Sequence, residues 1–524
     1  MIEMREAKYP MYTNREKFTS VREVFDRALK LYPDNYGCKY QKNGKIVSVT
    51  YKEIYSDIQK IGSYLYERCG YARDKAAFVS NSIYPWYVTY ISALYYGCTI
   101  VPLDQSLNAE DLAKQIDFTD VTTLFFNLKN KDKIQKIKQL LNKDIEYICL
   151  DSETDFSDSY SAIMQRQKII ASPTPINGDD LAEIVFTSGD TIISKGVMIS
   201  HYNIASNLMF CTNVLDLSEK DDLESFLPNN HLYFLSTGLL LTMYFGSAVC
   251  LNRSVFSLMS DMNKYKPSIV LMVPAILQLL KREITSRMKG ENFDCLNENS
   301  EKAVILRNKI RELIGGNINT VVSGGAFLDK ETMDFYKLIG IEVLNGYGIT
   351  ECSPLVSCSV QRKSKSDKVG TVGLIGTCCD VKIIDDEVCV SGANVMLGYY
   401  KNPELTAETI VDGWLKTGDL GRIDEDGYLY ITGRKKNLII LSNGENVCPD
   451  ELEKKIHSIE GVKKARVYEE NNLITADVLF DQNVFESKNI SFPEEYIKQN
   501  ITEINLQLPT FKRIKNIKVK KIDI

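Results

Sequence analysis

The stretch Ile184-Val185-Phe186-Thr187-Ser188-Gly189-Asp190-Thr191-Ile192-Ile193-Ser194-Lys195-Gly196 decides how the rest of the chain is read. Three apolar, strand-like residues give way to small and hydroxyl-bearing ones, and the turn delivers a lysine. Such a turn presents backbone N–H groups, hydroxyls and one cation together, the donor set that a polyphosphate requires. The G-x-x-x-x-G-K-[ST] spacing of a Walker loop is absent. Taken alone, the stretch also reads as a polar strand-to-helix turn, so its surroundings have to decide.

Upstream, helical and strand-like segments alternate over residues 20–150. Ser20 is placed as an N-cap, with Glu23 three residues on and the apolar pairs Val24-Phe25 and Ala28-Leu29 behind it. Ile54, Ile58, Ile61 and Leu65 recur at helical spacing. Ala76-Ala77-Phe78-Val79 and Cys98 to Leu103 read as short buried strands. This alternation predicts a layered α/β domain with parallel sheets. Leu232 to Leu251 carries no charge and is long enough to span a membrane, but its Ser, Thr and Gly content predicts a buried helix and strand instead. Residues 281–317 are rich in charge, Asn and Gly and predict a surface helical insertion.

Downstream of Gly433-Arg434-Lys435-Lys436-Asn437 the pattern becomes α+β. Leu438 to Leu441 reads as a strand. Glu451 to Ile456 reads as a short amphipathic helix with an i,i+4 Glu–Lys pair. Ala465 to Tyr468 and Ala476 to Phe480 form a hairpin, and Pro493 opens a helix striped by Ile497, Ile501, Ile504 and Leu508. The expected organisation is a domain over 1–433, a hinge at 434–436 and a C-terminal domain over 437–524, roughly ninety residues, an ordinary domain size.

Composition narrows the function classes. The chain has 524 residues, 44% hydrophobic and 25% charged, too long for a single core. A net charge of −6 argues against a nucleic-acid surface. The basic run from Lys512 to Lys521 reads as a solvated strand and helix edge. Thirteen cysteines at irregular spacing, with no C-x-x-C and no apolar signal segment behind Met1, are expected to be reduced thiols in the cytoplasm. His201, His231 and His457 lie far apart and away from the cysteines, so no zinc site is expected.

Further blocks follow in order: Ser323-Gly324-Gly325-Ala326 after a strand, Asn345-Gly346-Tyr347-Gly348-Ile349-Thr350-Glu351, Thr417-Gly418-Asp419, Gly433-Arg434-Lys435-Lys436, and Asn443-Gly444-Glu445-Asn446-Val447-Cys448-Pro449-Asp450-Glu451. Glycines let a flat ring approach backbone closely, an aromatic face suits adenine, a hydroxyl suits phosphate and a carboxylate suits Mg²⁺. Together, over residues 20–520, the blocks resemble the adenylate-forming (AMP-binding) superfamily. Its phosphate loop reads T-S-G-[ST]-T-G-x-P-K-G. Glu351-Cys352-Ser353-Pro354, Asn394 to Pro403, and Lys435 to Ile439 followed by Asn443 to Val447 look most like bacterial fatty acyl-CoA and acyl-carrier-protein synthetases.

The resemblance implies a large layered α/β N-terminal domain, mixed sheets flanked by helices plus a distorted β-barrel subdomain, and a small mobile α+β C-terminal domain. It implies that ATP is held by Thr187, Ser188, Gly189, Thr191, Lys195, Gly325, Ala326, Asn345, Gly346, Tyr347, Thr350, Asp419 and Arg434. Thr187 and Glu351 would hold Mg²⁺, and Thr350, Glu351 and Lys436 would carry the chemistry. His231, Ser323, Gly324 and Gly348 would line the acyl pocket; a core histidine is the other reading of His231. Gly444, Glu445 and Asn446 would border the thiol tunnel. A carboxylic acid, expected to be a medium- or long-chain fatty acid, would become an acyl-adenylate and pass to CoA or to a carrier protein's phosphopantetheine. No nucleic acid and no transmembrane segment are implied, and peripheral membrane contact stays open.

Asp190, Ile192 and Ser194 depart from the family loop, and Asp190 sets a carboxylate beside a polyanion. The family's C-terminal motif, resembling L-P-x-T-x-x-G-K, supplies a lysine to adenylation. Leu508-Pro509-Thr510-Phe511-Lys512-Arg513-Ile514 matches the segment before it, and no residue takes the lysine's place in this sequence. Two classes follow: an acid–thiol ligase with reduced activity, or a nucleotide- or acyl-adenylate-binding pseudoenzyme with an interaction or regulatory role.

Overall fold

The computed structural model describes residues 16–68, 74–81, 83–166, 168–170, 175–187, 195–252, 254–298, 300–361, 368, 370–440, 446–470, 473–488, 490–506, 508–509 and 512–522. The first helix, Val21–Leu31, starts where its cap predicts. The Ser20 hydroxyl accepts from the Glu23 N–H, while the Glu23 carboxylate reaches back to the Thr19 N–H at 2.8 Å. The stripe Ile54, Ile58, Ile61 and Leu65 lies on the helix Tyr51–Arg68, and all four are buried. These orphan N–H groups and this apolar face are what the local sequence had to satisfy.

The helices pack on two large sheets. One has nine strands in the spatial order Leu374–Ile375, Leu355–Cys358, Glu342–Gly348, Thr320–Ser323, Ile269–Met272, Asp222–Ser225, Ala248–Leu251, Tyr36–Lys42 and Lys45–Thr50. Its centre is parallel and its outer pairs are antiparallel. The other has eight strands in the order Gly398–Tyr399, Lys195–Ser200, Leu181–Thr187, Thr99–Pro102, Lys75–Val79, Thr123–Phe126, Glu146–Cys149 and Asp158–Ser159. Short apolar strands buried on both faces suit a parallel sheet covered by helices. A smaller five-stranded sheet contains Cys379–Ile384, Glu387–Gly392, Ile410–Val411, Trp414–Ile423 and Leu429–Arg434. The mixed α/β fold expected from the sequence is the fold observed.

Leu232 to Leu251 is a buried helical stretch, π-wound over Phe234–Leu240 and α-helical over Leu241–Phe245, followed by the strand Ala248–Leu251. Among the described residues no helix is long and apolar enough to cross a membrane. The expectation for residues 281–317 needs correction. Leu296, Leu306, Ile310 and Ile314 are buried in one cluster with Val270, Met272 and Val321 of the nine-stranded sheet. The charged residues occupy the outer faces of the helix Glu301–Leu313, so the segment seals a core and is not a surface appendage.

The chain divides into two compact units, 1–381 with 390–415, and 382–389 with 416–524. In the second unit the hairpin Val462–Glu470 and Leu473–Phe480 gains a parallel third strand, Asn516–Lys521. The helices Pro449–His457 and Pro493–Leu506 bury Leu452, Ile456, Ile497 and Ile501 in the same apolar cluster. Leu508 lies past the helix end and is buried there too. Glu451 pairs with Lys512 at 2.8 Å, a partner from the basic run rather than a lysine of its own helix.

Glu183, on the strand Leu181–Thr187, is fully buried and accepts from the Tyr90 hydroxyl at 2.6 Å. Burial pushes its carboxyl from an ordinary value of 4.5 up to about 7. The folded chain thus holds this proton more tightly than the unfolded chain. The stability it contributes is complete below pH 4.5 and is lost as pH rises through 7. Glu183→Gln is expected to flatten that slope. Between pH 4.5 and pH 8 the wild type should lose on the order of 3 kcal/mol more stability than the variant. Chemical denaturation at both pH values checks this, and parallel losses would refute it.

Candidate functional site

Strand pairing sets the first part of the site. Leu181–Thr187 and Lys195–Ser200 are antiparallel, and Thr187 stands directly opposite Lys195 as their last pair. The two ends of the expected phosphate loop are thus held side by side. Ser188, Gly189 and Thr191, with Asp190 and Ile192, lie outside the described residues. Gly398–Tyr399 pairs on the far side of Lys195–Ser200, with Tyr399 opposite Val197.

That pairing places a residue to which sequence reasoning gave no role. The buried Tyr399 hydroxyl donates to Glu351 Oε1 at 2.9 Å, and Lys195 Nζ lies 5.3 Å from the centre of the Tyr399 ring. Burial, then the Glu351 charge, raises the phenol above its ordinary range, so it remains a donor. The turn carrying Glu351 is braced from below. Asn207 Nδ2 donates to the Leu355 carbonyl at 2.9 Å, Asn394 Nδ2 to the same carbonyl at 3.0 Å, and the Met396 N–H to the Glu351 carbonyl at 2.9 Å.

The second part lies at the carboxyl ends of parallel strands, where open α/β sheets take ligands. Ser323 and Asn345 are register partners. Gly324 follows Ser323 and is buried, whereas Gly325 and Ala326 are exposed. A Cβ on Gly324 would come within 3.3 Å of the Gly346 carbonyl and 3.7 Å of the Tyr233 ring. Tyr347 is buried, and Thr350 and Glu351 are half-buried. Asn345 Nδ2 donates to the Thr371 carbonyl at 3.0 Å. The Asn345 Oδ1, the Ser323 Oγ and the Tyr233 hydroxyl are buried without a protein partner. Each such group costs about 1–3 kcal/mol unless something bonds it. Ser323 and Asn345 are paired across their strands and the Tyr233 ring neighbours Gly324, so these groups fit a bound polar molecule. Tyr233 is a second residue the sequence reading missed, since it sits in an uncharged run that reads as buried helix and strand. His231 is exposed, in a turn where its N–H donates to the Pro228 carbonyl, so it is not a core histidine.

The family model described as AMP-binding enzyme matches residues 25–400. The chain belongs to the AMP-binding enzymes. Among its relatives is a protein of Rattus norvegicus named long-chain-fatty-acid–CoA ligase 5. It is 28% identical over 487 residues, which cover 82% of this chain and 70% of that one. Another is an Arabidopsis thaliana protein named long chain acyl-CoA synthetase 7, peroxisomal, 27% identical over 496 residues, or 84% of this chain and 70% of the relative. Among solved structures, an anthranilate CoA ligase, AuaEII, in complex with anthranoyl-AMP, superposes with a TM-score of 0.79. The match covers 97% of this chain and 94% of that one, and at 16% identity it speaks to the fold.

Asp419, Arg434 and Lys436, which the resemblance singled out, lie in the second unit. Asp419 stands opposite Arg434 on paired strands. Its carboxylate is buried and meets Arg434 Nε at 2.7 Å. Glu387, also buried, accepts from the Gly418 N–H at 2.9 Å and from Lys435 Nζ at 2.8 Å, which raises the Lys435 pKa. Asp450 Oδ2 accepts from the Arg434 N–H at 3.2 Å. The backbone of Lys436 runs in the single turn Lys435–Asn437, and that of Asn446 in the short strand Asn446–Val447. Gly444 and Glu445 lie outside the described residues.

Among the described residues no group of three or more His, Cys, Asp or Glu side chains could hold a metal ion. Glu351, with one oxygen tied to Tyr399, is instead a single hard-oxygen carboxylate. That fits Mg²⁺, which keeps most of its shell for water and substrate phosphates.

Proposed function

We propose that the chain activates a fatty acid of medium or long chain with MgATP to the acyl-adenylate and passes the acyl group to the thiol of CoA. A carrier protein's phosphopantetheine arm ends in the same thiol and is the second acceptor. The carrying observation is the cation and carboxylate gathered on Tyr399, Lys195 and Glu351, in an AMP-binding enzyme whose relatives are named as long-chain acyl-CoA ligases.

In this reading Thr187 and Lys195, with Ser188, Gly189 and Thr191, hold the β- and γ-phosphates. Tyr347, Gly325, Ala326, Asn345 and Gly346 receive the adenine, and Asp419 and Arg434 the ribose. Ser323, Gly324 and Gly348, with His231 at a rim, meet the acid. Glu351 and Thr187 would hold Mg²⁺, which would supply charge neutralisation on the phosphates. The acid's carboxylate attacks the α-phosphorus, the bond to the bridging oxygen breaks, and pyrophosphate leaves. The chain's part is to orient the reactants and to stabilise spread charge, with no covalent enzyme intermediate. Thr350 hydrogen-bonds the transferring phosphate. Lys436 is the pivot of a hinge at 434–436 between the domains 1–433 and 437–524. Gly444, Glu445 and Asn446 border the thiol's path. The cytoplasm is the compartment, in keeping with the free cysteines among the described residues.

Pyrophosphate exchange across straight-chain acids tests the reading. Each buried methylene adds about 0.8 kcal/mol, so apparent affinity should rise about fourfold per carbon and level off once the pocket is full. A preference for acetate or an amino acid over octanoate and longer acids would overturn the substrate class. Nucleotide binding without exchange on any acid would leave a pseudoenzyme.

A further inference from the structure

We propose that Tyr399 is a positioning residue that sets Glu351 and Lys195 for the divalent cation and the polyphosphate, and keeps these two opposite charges from neutralising each other. The inference deepens the reading above and rests on it for the roles of Glu351 and Lys195.

Tyr399 is pinned before any ligand arrives. It is 4% exposed, and its N–H donates to Thr406 Oγ1 at 2.9 Å. The adjoining Tyr400 N–H donates to the Gly196 carbonyl at 2.7 Å. The tyrosine is therefore fixed to the same strand that begins with Lys195. Its two ends then serve two partners. The hydroxyl occupies Glu351 Oε1, and among the described residues Glu351 Oε2 has no hydrogen-bond partner. The ring offers its negative face to Lys195 Nζ, within the range of a cation–π contact.

Without that separation, a lysine and a carboxylate at one ligand site would pair directly. Each would then have to be pulled from the other before it could serve phosphate or metal. Among the described residues Lys195 and Glu351 form no ion pair; each meets Tyr399 instead, Lys195 at the ring and Glu351 at the hydroxyl. The arrangement is preorganisation in both charges at once, with the phenol contributing no atom to the reaction.

The two ends predict separable defects. Calorimetric titration with MgATP, and with ATP in excess EDTA, reads them apart. Tyr399→Phe removes the hydroxyl and keeps the ring. It should weaken MgATP about tenfold, the scale of a lost bond to a charged acceptor, and leave metal-free ATP within about twofold. Tyr399→Leu removes both. It should show the same MgATP loss and also weaken metal-free ATP by about threefold, as Lys195 loses its aromatic face. Glu351→Gln should reproduce the metal-selective loss alone. Far-UV spectra and unfolding midpoints establish that each variant is folded; if Tyr399→Leu is not, the Phe variant decides by itself. If Tyr399→Phe binds both forms like wild type while Glu351→Gln loses the metal-dependent part, the role given to Tyr399 is wrong and the role given to Glu351 survives. If Glu351→Gln is also unchanged, both fall together. Equal loss of MgATP and metal-free ATP in the Phe variant would mark Tyr399 as scaffold and overturn the proposal.

Discussion

Glu351→Gln is expected to slow pyrophosphate exchange by about 10²–10³, the scale of losing one charged contact to developing transition-state charge. The variant keeps an oxygen that accepts from the Tyr399 hydroxyl, so the bond observed at 2.9 Å has a like-shaped replacement. Its unfolding midpoint should therefore stay close to wild type. What disappears is the formal negative charge proposed to hold the cation. Raising Mg²⁺ should recover part of the rate, because the defect is one of cation affinity. Exchange within threefold of wild type at limiting Mg²⁺ would take Glu351 out of the metal's shell.

Gly348→Ala should fail for the opposite reason. A Cβ at this position would lie 2.0 Å from the Pro354 carbonyl oxygen and 2.9 Å from the Leu355 Cα, both backbone atoms. Nothing flexible can give way, so the strand Glu342–Gly348 and the chain returning at Leu355 must part. The expected cost is about 3 kcal/mol or more, at the upper end of overpacking penalties. The variant should melt early and lose activity in proportion to folded protein. A variant that folds with wild-type stability but no longer discriminates acyl chains would instead assign Gly348 a role in the pocket alone. Comparing the two substitutions separates a residue that acts on charge from one that makes room for backbone.

What could be read in the sequence follows the range of the forces involved. The cap at Ser20 and the stripe from Ile54 to Leu65 are legible because both are settled within one or two helical turns. Leu232 to Leu251 is legible as buried because its hydroxyls and glycines mark helix and strand, not a span. The segment 281–317 misleads, since charge on the outer faces hides Leu306 and Ile310, which share a core with Val270, Met272 and Val321 of the sheet. Tyr399 shows the same limit at the site. Its motif is visible, yet its partners are Glu351 and Lys195, and only the pairing of Gly398–Tyr399 onto Lys195–Ser200 brings them together. Tyr233 is hidden by the uncharged run that surrounds it. Unpaired polar atoms such as its hydroxyl are a property of packing, and no spacing rule announces them.

Glu387 works as a rivet. One of its oxygens fastens the turn at Gly418 and the other fastens the ammonium of Lys435. The carboxylate of Asp419 and the residue that follows Arg434 are thereby joined into one stiff plate. A swing at 434–436 must have its axle past that fastening, at Lys436, or shear the rivet each time it turns. With the axle at Lys436, as proposed, the plate that carries Asp419 and Arg434 would keep its shape as the hinge turned.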